Sequence, residues 1–159
     1  MRLRSSSLIT AVAVTVGGCI VLTHSLGTGA TPALAFSAQN GQVHITKLCP
    51  AYTGAAGDHC TIATSDVTVL PPGTTVYYNQ AFGIPAGNLD SNVMLYVSSG
   101  DWAVGRCTVE GATGHGLCTV SDGVGPLAGF SARINVVIDP VTGITYWDGT
   151  YSFNSLPPR

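Results

Sequence analysis

Charge is scarce in this sequence: six Lys and Arg stand against eight Asp and Glu in 159 residues. Binding to nucleic acid or to an anionic lipid surface needs clustered Lys and Arg, which are missing. Also missing are long runs with apolar residues at helical spacing, so a helical bundle is excluded. After the first residues no segment approaches the roughly 20 apolar positions of a membrane-spanning helix. The sequence has no G-x-S-x-G and no histidine-rich metal motif, so nucleophilic hydrolysis has no positive support. His44, His59 and His115 are scattered, and close C-x₂₋₄-C pairs are absent, which argues against zinc. No metal and no cofactor is expected.

What is present begins with a leader. Arg2 and Arg4 precede an apolar run from Leu8 to Leu22, and a more polar stretch ends in Ala33-Leu34-Ala35. This is the pattern of a secretory signal peptide over residues 1–35, leaving 36–159 as one domain. Val16-Gly17-Gly18-Cys19 also fits a lipobox, which would anchor a lipoprotein at Cys19. Ile20-Val21-Leu22 continue the apolar core past it, so cleavage after Ala35 and release without a membrane anchor is the favoured reading. The remainder keeps four basic residues, Lys47, Arg106, Arg133 and Arg159, against eight acidic ones, a net charge near −4. It is rich in Gly, Thr, Ser and Val, a composition suited to a compact β-protein.

Four cysteines follow the leader, Cys49, Cys60, Cys107 and Cys118, in two pairs of equal spacing. Export makes disulfides the expected state. Four cysteines allow three connectivities, and a hairpin favours the local one. With a loop over Gly111–Gly114, Glu110 faces His115. Three steps back along each strand, Cys107 then faces Cys118, within disulfide reach. Ala103, Gly105, Val109, Gly116 and Val120 share that face, all small or apolar. Each short loop so closed is expected to stabilise the fold by about 2–3 kcal/mol.

Alternating and β-branched runs give eight candidate strands: Gln42–Leu48, Cys60–Val67, Thr74–Phe82, Asn92–Ser98, Trp102–Glu110, His115–Ser121, Gly129–Ile138 and Ile144–Phe153. Between them lie turn sequences such as "LPPG", "PAGNLD", "SSGD" and "DPVTG". Within "DGVGPLAGFSARINVVID", Gly123, Gly125 and Gly129 approach the glycine spacing of a dinucleotide loop. Such a loop must open a helix, whose amides hold the phosphates. Here Pro126 interrupts it, and Phe130, Ala132, Ile134, Val136 and Ile138 then alternate with Ser131, Arg133 and Asn135 at a period of two. The glycines therefore serve a turn and a close strand approach. Eight sequential strands with short turns predict an all-β, eight-stranded antiparallel up-and-down barrel, with a two-sheet sandwich as the alternative.

"GLCTVSDGVGPLAGFSARINVVID" followed by "YWDGTYSF" resembles the bacterial secreted members of the allene-oxide-cyclase-like barrel group, related to plant dirigent proteins. The resemblance runs from Gly57 to Phe153. It rests most specifically on Gly129, Phe130 and Ala132 and on the closing Trp147-Asp148-Gly149-Thr150-Tyr151. It implies a barrel with a central, largely apolar cavity, a small apolar or phenolic ligand and often a homotrimer. It also implies either a cyclase-type isomerase activity or the guiding of a coupling reaction. The cyclase's glutamate has no counterpart, because the one glutamate, Glu110, sits beside the "GATG" turn.

Candidate site residues follow from strand parity. Asp148 follows Trp147 inside a strand, where an acid is disfavoured. As a lumen-facing pair with Arg133 it would orient a polar group or exchange a proton; otherwise it belongs to a solvated outer face. Asp122 and Asp139 flank turns and are expected to serve them. Trp147, Tyr151 and Phe153 form one aromatic face. Tyr78, Tyr96, Trp147 and Tyr151 are the candidate ligand contacts, with Tyr77 beside them as a further barrel tyrosine. A fully packed lumen would instead indicate a non-catalytic extracellular interaction protein.

Overall fold

The computed structural model describes residues 40–83 and 86–154. The leader, its cleavage after Ala35 and the Cys19 reading lie outside the described residues. Eight strands follow one another: β1 (Asn40–Leu48), β2 (His59–Ser65), β3 (Thr75–Tyr78), β4 (Asn88–Ser98), β5 (Asp101–Glu110), β6 (His115–Gly123), β7 (Phe130–Ile138) and β8 (Thr145–Phe153). Each pairs antiparallel with its sequence neighbour, and β8 returns to β1, so the sheet is a closed barrel. The sandwich alternative falls with that closure. The seam between β1 and β8 runs without a break from Asn40 opposite Ser152 to Lys47 opposite Thr145.

Alternation decides what the barrel encloses. Val43, Ile45 and Lys47 of β1 point inward, as do Val93 and Leu95 of β4, Ile134 and Val136 of β7 and Trp147 of β8; all are buried. Gln42, His44, Arg106, Thr108, Arg133, Asn135, Asp148 and Thr150 fall on the exposed alternate positions. An apolar lumen inside a polar wall is the reverse of a membrane barrel.

The β5–β6 register is the one the turn predicts. Cys107 opposes Cys118 and Val109 opposes Gly116, and a bulge beyond Gly105 brings Ala103 opposite Gly123. Both expected disulfides, Cys49–Cys60 and Cys107–Cys118, are formed. Strand ends lie within two residues of expectation except in two places, each off by four. β3 stops at Tyr78, and Gln80 beyond it donates its backbone N–H to Ser91 Oγ at 3.1 Å instead of joining the ladder. β4 begins at Asn88, four residues earlier than expected, since the turn closes at Gly87 with φ 79°.

The suspected phosphate loop is a turn. A three-residue 3₁₀ turn, Gly125–Leu127, carries Pro126 in its first positions, and Gly129 adopts φ 77° directly before β7. Leu127 is fully buried, so the loop plugs into the core and presents no helix N-terminus. Asp139 serves its turn as expected, accepting from the Val141 amide at 2.8 Å and the Thr142 hydroxyl at 2.6 Å. Asp122 has φ 87°, the one described non-glycine residue with positive φ.

Gly149 of β8 lies against the neighbouring strand so closely that a Cβ there would collide with the Arg133 carbonyl oxygen. The obstacle is backbone and has little room to yield. Gly149→Ala is therefore expected to lower stability by about 1–3 kcal/mol in urea unfolding. Gln42→Ala, on the exposed face, should stay within about 0.5 kcal/mol.

Candidate functional site

The two ends of the barrel are filled differently. At the end holding the β2–β3, β4–β5 and β6–β7 connections, Phe130 stacks on Tyr151 with centroids 5.7 Å apart and meets Phe153 at 5.3 Å. Tyr151 also leans over Gly41, where any side chain would strike its ring. That end is packed. The opposite end holds the β1–β2, β3–β4, β5–β6 and β7–β8 connections and encloses a cavity of about 210 Å³. Its apolar wall includes Phe82, Leu89, Val109, Val136, Ile138 and Trp147, and both disulfides border it. An apolar cavity of about 150 Å³ is already enough to take benzene.

One cation enters this cavity. Lys47 is the only lysine of the sequence, and only 2% of it is exposed. A lysine usually carries its ammonium out to water along a flexible stem. Here it lies on the inward parity of β1, so its stem runs into the lumen. Nζ lies 4.1 Å from the centroid of the Trp147 ring and 5.2 Å from that of Tyr78, and it donates a hydrogen bond to the Tyr78 hydroxyl. Two aromatic faces stabilise an ammonium, but no carboxylate among the described residues lines the cavity. Burial without a counter-ion dominates and lowers the amine to about 7.

The other titratable groups of the wall are Tyr52 and Tyr78, packed edge to face at 5.5 Å. Burial pushes both phenols up, with the charge of Asp58 adding to the effect at Tyr52 and the partner phenol Tyr52 at Tyr78. Both remain protonated donors at neutral pH. The Tyr52 hydroxyl and the Trp147 indole N–H are buried with no hydrogen-bond partner among the described residues. A buried donor left unpaired costs about 1–3 kcal/mol. Two such donors beside an uncompensated amine leave this wall short of acceptors.

The candidate residues separate accordingly. Tyr78 and Trp147 come together at Lys47. Tyr151 belongs to the packed aromatic end, and Tyr96 is exposed on the outside. Tyr77, on the alternate parity, packs on His59 at 5.4 Å. The lumen-facing Asp148–Arg133 pair does not form, because both residues occupy outward positions of their strands, opposite Asn135 and Thr150 respectively. Asp148 instead meets His44 across the closing seam, Oδ1 to Nδ1 at 2.7 Å, with both side chains more than half exposed. That hydrogen bond raises the His44 pKa.

Lys47 and Tyr52 were not among the candidates. Lys47 was legible in principle, since "QVHITKL" puts it on the parity of Val43 and Ile45. Tyr52 lies in the β1–β2 connection, where parity says nothing. No family model, no curated protein and no solved structure matches this chain.

Lys47 makes stability depend on pH. Between about 7 and its ordinary 10.5, the unfolded chain binds a proton that the folded amine has lost, so stability rises with pH. Urea unfolding should show a rise between pH 7 and 9, with a slope of at most about 1.4 kcal/mol per pH unit. Lys47→Met, which keeps the volume and removes the charge, should flatten it. At higher pH the raised phenols reverse the trend, because their ionisation is easier in the unfolded chain.

Proposed function

We propose that this protein is a secreted, disulfide-stapled barrel that holds a small, mainly apolar molecule in its lumen. The observation that carries the reading is the cavity of about 210 Å³ at one end of an otherwise filled barrel, with unpaired donors in its wall. An apolar body fits the aliphatic and aromatic lining, and an oxygen acceptor on it would satisfy Tyr52, Trp147 or Lys47. Export is supported by the two disulfides, which persist in oxidising compartments, and by the leader pattern of residues 1–35. The resemblance to allene-oxide-cyclase-like and dirigent barrels points the same way. Barrels of that kind keep a reactive molecule in a shaped lumen while it cyclises or couples.

A cyclase built on Asp148 and Arg133 is disfavoured by their outward positions. A purely structural interaction protein is disfavoured by the open volume inside.

Native mass spectrometry on protein from the secreting culture tests the proposal. A bound species no larger than the cavity admits, lost on denaturation, is the expected result. Val109→Phe should exclude it while the circular dichroism stays native, and Asp148→Asn or Arg133→Ala should leave it bound. No bound species, and no uptake from a panel of small apolar and phenolic compounds, would overturn the reading.

A further inference from the structure

A lysine in water is a poor nucleophile at neutral pH because it is protonated. Lys47 differs in its surroundings on every side. Its Nζ lies in a mainly apolar lumen, over the Trp147 ring and in hydrogen-bond contact with the Tyr78 hydroxyl. Among the described residues no acid lines the cavity to hold it as an ammonium, and the other titratable groups facing it are Tyr52 and Tyr78. Desolvated lysines of this kind are the ones that attack carbonyl carbon.

We propose that Lys47 is a reactive amine that condenses reversibly with a small apolar aldehyde entering the lumen and holds it as an imine. This rests on the reading of the lumen as a small-molecule site, and it names the chemical class and the atom that fixes it. The Nζ lone pair forms a bond to the carbonyl carbon, and the carbonyl π pair moves to oxygen. A proton passes from nitrogen to that oxygen, with the Tyr78 hydroxyl beside Nζ as the relay. The nitrogen lone pair then forms the C=N bond as the C–O bond breaks, and the second N–H proton passes to the departing oxygen. The oxygen leaves as water, carrying the two hydrogens that began on the amine. No oxidant or reductant takes part.

The apolar wall seats the aldehyde body and limits the water that would reverse the condensation. The Tyr52 hydroxyl and Trp147 N–H, both without a hydrogen-bond partner among the described residues, belong to residues that line the same cavity. The cavity volume of about 210 Å³ limits the substrate to one ring or a short chain.

The chain tests this cleanly, because its only amines are Lys47 and the α-amino group. The folded protein is incubated with benzaldehyde at pH 7 and trapped with cyanoborohydride, which spares disulfides. The expected product is a single adduct of the aldehyde less its oxygen, mapped to the Lys47 peptide. Its yield should be at least about tenfold above that of urea-unfolded protein at the same pH, where the lysine returns to its ordinary protonation. Lys47→Arg should lose the adduct, and Tyr78→Phe, which keeps the ring, should slow it by about tenfold or more.

Labelling confined to the α-amino group, or equal labelling of folded and unfolded chains, would overturn the proposal. Benzyl alcohol, of the same size and without a carbonyl, separates the two readings through native mass spectrometry. Its binding without an adduct from benzaldehyde sinks the imine and leaves the lumen site standing. Failure of both compounds sinks both.

Discussion

Closure of β8 onto β1 is the constraint on which everything else depends. Eight consecutive residue pairs from Asn40–Ser152 to Lys47–Thr145 join the two ends of the described chain. Without them the sheet would expose two edges, each a row of unpaired amides and carbonyls open to other chains. With them the sheet has an inside, and every residue of one parity must find a place there. Eight strands enclose only enough room for side chains or one small guest. The choice between filled and hollow is then made end by end.

The end that is filled uses aromatic rings and glycine together. Phe130, Tyr151 and Phe153 need width, and Gly41 supplies it by having no side chain where Tyr151 lies. The other end carries cystines at four inward or bordering positions, and these are smaller than the leucines and phenylalanines that would have filled it. The disulfides therefore do two things at once. They tie β1 to β2 and β5 to β6 next to the cavity, and they line it with compact, inert surface. The open volume lies at this stapled end.

Much of this was legible from residue order. The parity of β7 and β8, the turn chemistry and the Cys107–Cys118 register all follow from local rules, because a hairpin fixes its partner by counting back from the turn. The bulge after Thr46, where β1 shifts against β2, has no such marker. The outward position of Asp148 follows from the parity of Trp147, but the residue it meets was not legible, for a related reason. Its partner His44 lies across the closing seam, and the facing of the two ends of the chain follows only from the number of strands and their stagger. An acid in a strand was a sound signal of something unusual, but it indicated an outer ion pair. Lys47 is the opposite case. Its inward parity was plain, and the habit of assigning lysine to the surface hid it.

A buried lysine without an acid is an expensive arrangement. Methionine or leucine at the same position would fill the space, keep the strand and avoid the desolvation. What the amine returns to the fold is one hydrogen bond to Tyr78 and contact with two aromatic rings, set against the cost of burying it without an acid. The position does not require a long polar residue, since Val43 and Ile45 occupy the same face one and two steps down the strand's inner row. The guest proposed for the lumen would offset that cost. The surrounding groups limit what that guest is. Phenols held protonated and an indole N–H are donors, so the visitor brings an acceptor. The wall is apolar, so the rest of the visitor is apolar too. The volume is small, so the visitor is small. An amine whose charge is suppressed by burial favours a carbonyl carbon over a carboxylate as the atom it meets. A carboxylate would find a stronger partner in a lysine at the mouth of the barrel, kept charged by water.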